Sequence, residues 1–383
     1  KGGHAPLWKP RAYFRQDDAR GVFVCRAGRY AEGMQRLTLT AIPDLFTLPY
    51  DEVIDVRSPS EYAEDHVPGA VNLPALDDNE RARVGTVYVQ DSRFLARRMG
   101  AALVARNAAR HLEGYLADKP ADYRPLVYCW RGGQRSGSIA LILGQIGWRV
   151  GVLEGGWRAW RKLVQQALYE APFPAPVLVL DGNTGTAKTA ILNKVAALGG
   201  QVLDLEGLAR HRGSLFGLEP GIEQPAQKGF ESALALQMAR LDPTRPVLVE
   251  AESNRIGAIR LPPGLWAAMR AAPRVEIAAP LAARAEWLTR AYADVTGNAG
   301  ELAARIDALS PYQSRETIAH WQTLAQAGDF APLAAQLMQA HYDPRYARTR
   351  LRQAGTVQQV LTTDSLSDAA QDALARRIAA LLG

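Results

Sequence analysis

The sequence is poor in cysteine, with only two, Cys25 and Cys129, in 383 residues. Two cysteines in unlike contexts make no disulfide framework, so each is a free thiol to be judged by its neighbours. No apolar run approaches the roughly 20 residues that cross a bilayer, and no charged n-region followed by an apolar stretch opens the chain. These absences point to a cytoplasmic protein with no membrane partner. No repeat and no low-complexity tract marks its C-terminal part. What is present is ordinary for a globular protein, 48% hydrophobic and 22% charged residues. The length predicts about two domains at roughly 100 to 200 residues each. A formal charge of +6, carried by many arginines, suits a polyanion such as nucleic acid, and arginine enrichment alone accounts for it equally well.

Residues 1–33 show no period of 2 or 3.6 and read as an irregular extension or tag remnant that includes Cys25; a basic arm is the alternative. From Met34 to residue 170, short β-branched runs at 52–56, 126–128 and 150–153 alternate with helical stretches such as 92–116. That alternation predicts βαβ units and a parallel sheet. The segment 171–176, APFPAP, holds three prolines and reads as a stiff linker between domains. A second α/β domain, 177–280, opens on the strand VLVL at 177–180 and includes PVLVE at 246–250. Residues 281–383 read as mainly helical.

In VYCWRGGQRSGS a strand ends at Tyr128, a loop carries Cys129 to Arg135, and a helix begins near Ser136. A thiol there, near a helix N-terminus and two arginines, has its thiolate stabilised, and thiolate is the nucleophile. Gly132 and Gly133 let successive N–H groups point inward as an anion nest, completed by Trp130, Gln134 and Ser136. Arg131 and Arg135 are the cations of this nest, with Arg135 closing it as a clamp. The competing interpretation is a buried strand-end cysteine acting as a small hydrophobe. Together with DVRSPSEYAEDHVPGAVNLP (55–74) and LEGGWRAWR (153–161), the loop resembles a rhodanese domain. Asp55, Arg57, Glu61 and His66 fit that family's upstream motif, where the resemblance implies a bracing role. The C-x5-R spacing of Cys129 and Arg135 also matches rhodanese-like phosphatases, so a phosphatase stays open beside a larger chalcogen donor.

In LDGNTGTAKTAIL a strand runs into a turn and then a helix, the context of a phosphate-binding loop. Gly182, Asn183, Thr184, Gly185, Thr186 and Ala187 would wrap their N–H groups round phosphates, Lys188 would supply charge, and the Thr189 hydroxyl could meet Mg2+. Ala187 stands where the usual pattern has glycine. PVLVEAES places Glu250 and Glu252 where such proteins carry a Mg2+-binding or water-ordering acid. In 211–231, Arg212, Ser214, Gln224, Gln227 and Lys228 are candidates for phosphate or base contacts, or members of a plain surface loop. HYDPRYARTRLR (341–352) interleaves Tyr342 and Tyr346 with Arg345, Arg348, Arg350 and Arg352, which suits base stacking and phosphate pairing as well as a solvated basic helix end.

YCWRGGQRS, GNTGTAKT, GSLFG with QPAQKGFE, VEAESNRIG and YDPRY, in that order, resemble the bacterial tRNA 2-selenouridine synthase family over residues 34–352. The resemblance implies an α/β fold: a rhodanese-like parallel-sheet domain, then a P-loop NTPase-like α/β domain with a helical C-terminal part that binds tRNA. It implies a transferase that replaces the sulfur of wobble 2-thiouridine in tRNA by selenium from selenophosphate, by way of a geranylated intermediate made from geranyl diphosphate. Cys129 would be the selenium or sulfur carrier, with Arg131 and Arg135 stabilising the anionic donor. Selenophosphate synthase is an expected partner. Whether the loop takes the prenyl diphosphate or a nucleotide such as ATP stays open. Two rivals remain: a phosphatase, which leaves the phosphate loop unused, and a non-catalytic P-loop module for tRNA, which leaves Cys129 unused.

Overall fold

A computed structural model describes residues 34–212, 217, 221–350 and 357–383, with the side chains of 349 and 350 left aside. The expectations for residues 1–33 and Cys25, for Ser214, and for the side chains of Arg350 and Arg352 fall outside the described residues.

Two five-stranded sheets, both parallel, organise the chain. The first comprises β1 (Met34–Leu37), β2 (Glu52–Asp55), β3 (Val71–Asn72), β4 (Pro125–Tyr128) and β5 (Val150–Leu153), in the order β1-β5-β4-β2-β3. The helices around it are α1 (Pro59–Glu64), α2 (Asp78–Gln90), α3 (Arg93–Glu113), α4 (Gln134–Gln145) and α5 (Gly156–Gln165). The expected helix 92–116 is α3, and α2 packs beside it; the break falls at Asp91 and at Ser92, whose hydroxyl caps the new helix.

The second sheet comprises β6 (Val177–Gly182), β7 (Val202–Leu203), β8 (Val247–Glu250), a strand at Arg274–Ala278 and a strand at Val357–Thr362. Between β8 and these last two lies the two-stranded antiparallel ribbon β9 (Arg255–Ile256) and β10 (Ile259–Arg260), so they are β11 and β12, and the sheet order is β12-β11-β6-β8-β7. Its helices are α6 (Lys188–Ala197), α7 (Leu205–Ala209), α8 (Gln227–Met238) and α9 (Pro263–Ala271). Then come α10 (Leu281–Ala291), α11 (Ala293–Thr296), α12 (Ala299–Asp307), α13 (Arg315–Ala327), α14 (Phe330–Leu337), α15 (Asp343–Arg350) and α16 (Asp368–Ala379). The C-terminal part is therefore mostly helical, but not a separate helical body. β12 is the edge strand of the second sheet, and α16 packs on α6.

Strands β4, β5, β6 and β8 are buried along their whole length, which is why they read as continuous apolar runs rather than alternating ones. Within β6, Val177 and Val179 face one core while Leu178 and Leu180 face another, as the period of two requires. The core that receives Val177 and Val179 also contains Tyr128, Trp157, Trp160 and Val164 of the first domain and Phe230, Leu234 and Val249 of the second. The proline segment 171–176 thus joins two units that share a hydrophobic core rather than holding them apart. Polar bonds reinforce that seam. Trp160 Nε1 donates to Ser232 Oγ (3.0 Å), Tyr169 donates to Glu231 (2.7 Å), and the Arg161 guanidinium pairs with the same buried Glu231.

Candidate active sites

Cys129 sits at the C-terminal end of β4, the edge of a parallel sheet where α/β proteins place their ligands. The loop is shaped from below by α5. The N–H groups of Trp157 and Arg158 donate to the carbonyls of Cys129 (2.8 Å) and Trp130 (3.1 Å), which turns those carbonyls down and frees the loop amides to point inward. A Cβ on Gly156 would stand 2.0 Å from the Cys129 carbonyl oxygen, so LEGGWRAWR needs its second glycine. Gly132 has φ +67° and equally little room, its added Cβ falling 2.5 Å from Leu153 O.

The Gly133 N–H donates to Cys129 Sγ (3.3 Å), and Ser136 Oγ lies 3.2 Å from the sulfur. Burial pushes the thiol up, but the Ser136 hydroxyl and the amides of Ser136, Arg131 and Gly133 outweigh it and hold the thiol below its ordinary value. The arginines act differently from the sequence expectation. Arg135 does not clamp the sulfur: Nη1 pairs with Glu61 Oε2 at 2.7 Å. Glu61, nearly buried, also receives Arg81 (3.1 Å) and the Ser58 N–H (3.1 Å). Arg131 and Gln134 are exposed, and with Arg81, Trp130 and Arg135 they line the pocket over Cys129. Three guanidiniums against one carboxylate make this mouth cationic. Arg81 was not legible beforehand, because ERAR at 80–83 looks like any solvated helix face.

The upstream motif braces this loop. Fully buried Arg57 lies against Asp55 (Nη2 to Oδ2, 2.6 Å), Asp55 accepts from the Tyr128 hydroxyl (2.7 Å), and Asp65 accepts from Trp157 Nε1 (2.7 Å). His66 stacks on Tyr62 and meets its carbonyl through Nδ1, away from the thiol pocket's lining.

The second centre forms where β6 ends. Gly182 to Ala187 curl into α6; Thr186 donates through N and Oγ1 to the Asn183 carbonyl (3.3 and 2.8 Å), and Gly185 packs on α10. Ala187 adopts φ +59°, so the turn that usually takes glycine is reached here by a residue with a Cβ. Lys188 Nζ donates to Gly182 O (3.0 Å) and lies 5.6 Å from the centre of the Tyr346 ring. The Thr189 hydroxyl donates to Glu206 Oε2 (2.9 Å).

Glu206, on α7, joins Glu250 and Glu252 beneath the loop. Burial, then the charge of Glu206, drives Glu250 and Glu252 well above the carboxylate range, and burial also raises Glu206. A hydrogen bond between Glu252 and Glu206 raises the first further and works against the rise of the second. Lys188 loses by burial but gains more from Tyr346 and the three acids, so it stays a cation. The signal for Glu206 was present in VLDLEG, a short apolar strand ending in acids like PVLVEAES.

A cavity of about 670 Å³ opens over Thr184 to Thr189, walled by Glu206, Arg210, Arg212, Trp287, Tyr292 and Tyr346. Beside it lies an apolar pocket lined by Val295, Leu302, Phe330, Leu333, Leu337 and Met338, and the two share Thr184, Leu288 and Tyr292.

Several candidates turn out to have other partners. Gln224 donates to the carbonyls of Ala209 and Ile256 (both 3.1 Å), and Gln227 exchanges hydrogen bonds with the backbone of Arg260 (both 2.8 Å). Both amides fasten the β9–β10 ribbon, and that of Gln227 also donates to Glu231 Oε1 (2.9 Å). Lys228 pairs with Glu64 of the first domain (2.6 Å). Arg212 does line the cavity, held by Asp294 (3.1 Å) and the Tyr292 ring. Tyr342 and Tyr346, four apart on one face, both point inward: Tyr342 into the helical core and Tyr346 over Lys188. They are not a stacking platform for bases. Arg345 and Arg348 take the exposed face, Arg345 lying 4.3 Å over the Tyr312 ring. Asp343, paired with Arg284 of α10 (2.8 Å), docks the helix that carries Tyr346.

Comparison with known proteins agrees with this two-centre arrangement. Residues 43–163 match the rhodanese-like domain and residues 175–313 the tRNA 2-selenouridine synthase AAA domain. The tRNA 2-selenouridine synthase of Aeromonas salmonicida is 38% identical over 264 residues, 68% of this chain and 69% of that protein. That of Cupriavidus pinatubonensis is 33% identical over 348 residues, 80% of this chain and 90% of that protein. The chain belongs to the tRNA 2-selenouridine synthase family. A third family member, from Chromohalobacter salexigens, is 38% identical over 243 residues, 63% of this chain and 65% of that protein, just under two thirds of its length. In family terms, Cys129 belongs to the rhodanese-like part and Lys188 to the AAA part. Tyr346 lies beyond the matched AAA residues, although it reaches the loop. Among the described residues, no helix is long and apolar enough to cross a membrane.

Proposed function

We propose that this chain is a tRNA-modifying transferase that replaces the sulfur of wobble 2-thiouridine by selenium from selenophosphate, through a geranylated intermediate made from geranyl diphosphate at the phosphate loop. The observation that carries this reading is the apolar pocket joined to the phosphate-loop cavity through Thr184, Leu288 and Tyr292. A diphosphate bearing a hydrocarbon chain needs a cationic, amide-rich cradle continuous with an aliphatic one. The thiouridine sulfur would attack the prenyl carbon, and the breaking C–O bond would leave its electron pair on diphosphate beside Lys188. The selenium of selenophosphate would then attack the ring carbon that bears the geranylated sulfur, and geranyl thiol would leave with the C–S electron pair and a proton. Water would cleave the Se–P bond to release phosphate, with Arg131, Arg135 and Arg81 holding the anionic donor at the mouth over Cys129.

Mg2+ fits the donor set. Both Glu250 carboxylate oxygens are buried without a hydrogen-bond partner among the described residues, and the Thr189 hydroxyl is adjacent in the site. Glu250 and Thr189 would hold the ion, which would supply positive charge to the phosphates. The tRNA is the expected partner, with Arg348 and Arg345, the latter packed on the Tyr312 ring, on the exposed face toward its backbone. Selenophosphate synthase would supply the donor, and the site of action would be the cytoplasm.

The test is mass spectrometry of wobble uridines in tRNA from cells lacking the gene, complemented with wild type, Cys129→Ala or Lys188→Ala. Both variants are expected to leave 2-selenouridine unrestored, with Lys188→Ala also losing the geranylated species and Cys129→Ala accumulating it. Selenouridine persisting without the gene would overturn the assignment. Normal geranylation in Lys188→Ala would take the prenyl diphosphate away from this loop.

A further inference from the structure

Among the described residues, two that are not glycine adopt left-handed backbone, Ala187 at φ +59° and Arg210 at φ +49°, and both line the phosphate-loop cavity. Residues with a Cβ resist this conformation, and where they hold it the strain clusters at functional sites. Ala187 holds it as the turn into α6. Arg210 ends α7, where its N–H closes on the carbonyls of Glu206 and Gly207, a position that glycine fills without strain. The backbone there gains nothing from arginine, so what the position contributes is the side chain.

That side chain is exposed, and among the described residues no acid, carbonyl or ring engages it. The helix it terminates is docked on the loop, because Glu206 accepts from Thr189. Lys188, by contrast, is bound to Gly182 O, covered by Tyr346 and surrounded by three acids. One lysine in that company does not balance a ligand with two phosphates.

We propose that Arg210 is a specificity-determining residue that takes the second phosphate of a diphosphate held by the loop, its planar fork pairing with two phosphate oxygens. The proposal rests on reading the cavity as a phosphate site. It predicts preference for diphosphate over monophosphate, set by Arg210 rather than by the loop.

The experiment is calorimetric titration of the full chain with inorganic pyrophosphate and with inorganic phosphate, using wild type, Lys188→Ala, Arg210→Gly and Arg210→Gln. Glycine suits the backbone at 210, so Arg210→Gly is expected to unfold no earlier than wild type while binding pyrophosphate roughly tenfold or more weakly, the loss of a charge-assisted pair. Arg210→Gln, which keeps a Cβ, should lose the same affinity, and phosphate binding should change little in either. Should Arg210→Gly fail to fold, Arg210→Gln decides alone. If wild type binds pyrophosphate, Lys188→Ala loses it and both Arg210 variants bind like wild type, the inference is wrong while the cavity reading stands, and Arg210 would serve the tRNA backbone instead. If wild type does not bind pyrophosphate, both fall together.

Discussion

At Cys129, burial and hydrogen bonding pull the thiol in opposite directions, and hydrogen bonding prevails through the Ser136 hydroxyl and three loop amides. The sequence suggested that arginine charge would stabilise the thiolate, but Arg135 is neutralised by Glu61 before it reaches the sulfur. The lowered value means that the nucleophilic form appears at lower pH than for an ordinary thiol. Alkylation of Cys129 by iodoacetamide, followed on its own peptide by mass spectrometry, should therefore rise at a pH below the usual thiol range. Ser136→Ala removes the largest favourable contribution, so the inflection should move up by about one pH unit, the worth of one hydrogen bond to a charged group. An unchanged profile would mean that the amides alone set the thiol. The loop was legible as a reactive site because glycines, cysteine and helix start lie within a few residues. That Arg135 is engaged by Glu61, 74 residues away, was not.

The elements show where reading by local pattern stops. Strands β4, β6 and β8 were visible because a strand buried on both faces leaves an unbroken apolar run, and the two loops follow directly from their ends. Helix α15 was visible as a helix end but its faces were not: Tyr342, just before it, and Tyr346 on it both turn inward, with Asp343 between them paired to Arg284 of α10. Likewise Gln224 and Gln227 looked available until the β9–β10 ribbon claimed their amides. The meeting of α7 with the end of β8 has an energetic consequence, because it crowds Glu206, Glu250 and Glu252 together. Their folded values are raised, so the folded state binds more protons than the unfolded one above the ordinary carboxylate range. Stability should then fall as pH rises through and beyond that range. Glu252→Gln keeps the hydrogen bond to Glu206 without a proton to lose. Its thermal midpoint at pH 8 should exceed that of wild type by roughly 1 to 2 °C, the worth of about 1 kcal/mol at this chain length, and the gain should shrink toward pH 4. A gain that is the same at both pH values would rule out the crowding of the three carboxyl groups as its cause.

Across the whole molecule, the proline segment reads as a stiff linker at a domain boundary, and the units on its two sides share one core. Tyr128, Trp157 and Trp160 lie in one apolar cluster with Val179, Phe230 and Val249, so neither half would keep that core alone. Trp160 adds a polar tie to Ser232, and Lys228 adds another to Glu64. The two centres consequently sit on a common frame, the thiol at the end of β4 and the phosphate loop at the end of β6. Glu231 is the critical polar group of that frame, buried and holding Arg161, Tyr169 and Gln227 at once. Truncating it leaves the Arg161 charge buried without its carboxylate, a loss of about 3 to 5 kcal/mol for a broken buried pair. Wild type should unfold in denaturant as one transition reported equally by tryptophan fluorescence and by circular dichroism. Glu231→Ala should unfold at lower denaturant with the two signals separating, because the halves no longer melt together. A single transition at the wild-type midpoint would mean that the apolar cluster alone couples the two halves and that the buried pair contributes orientation rather than stability.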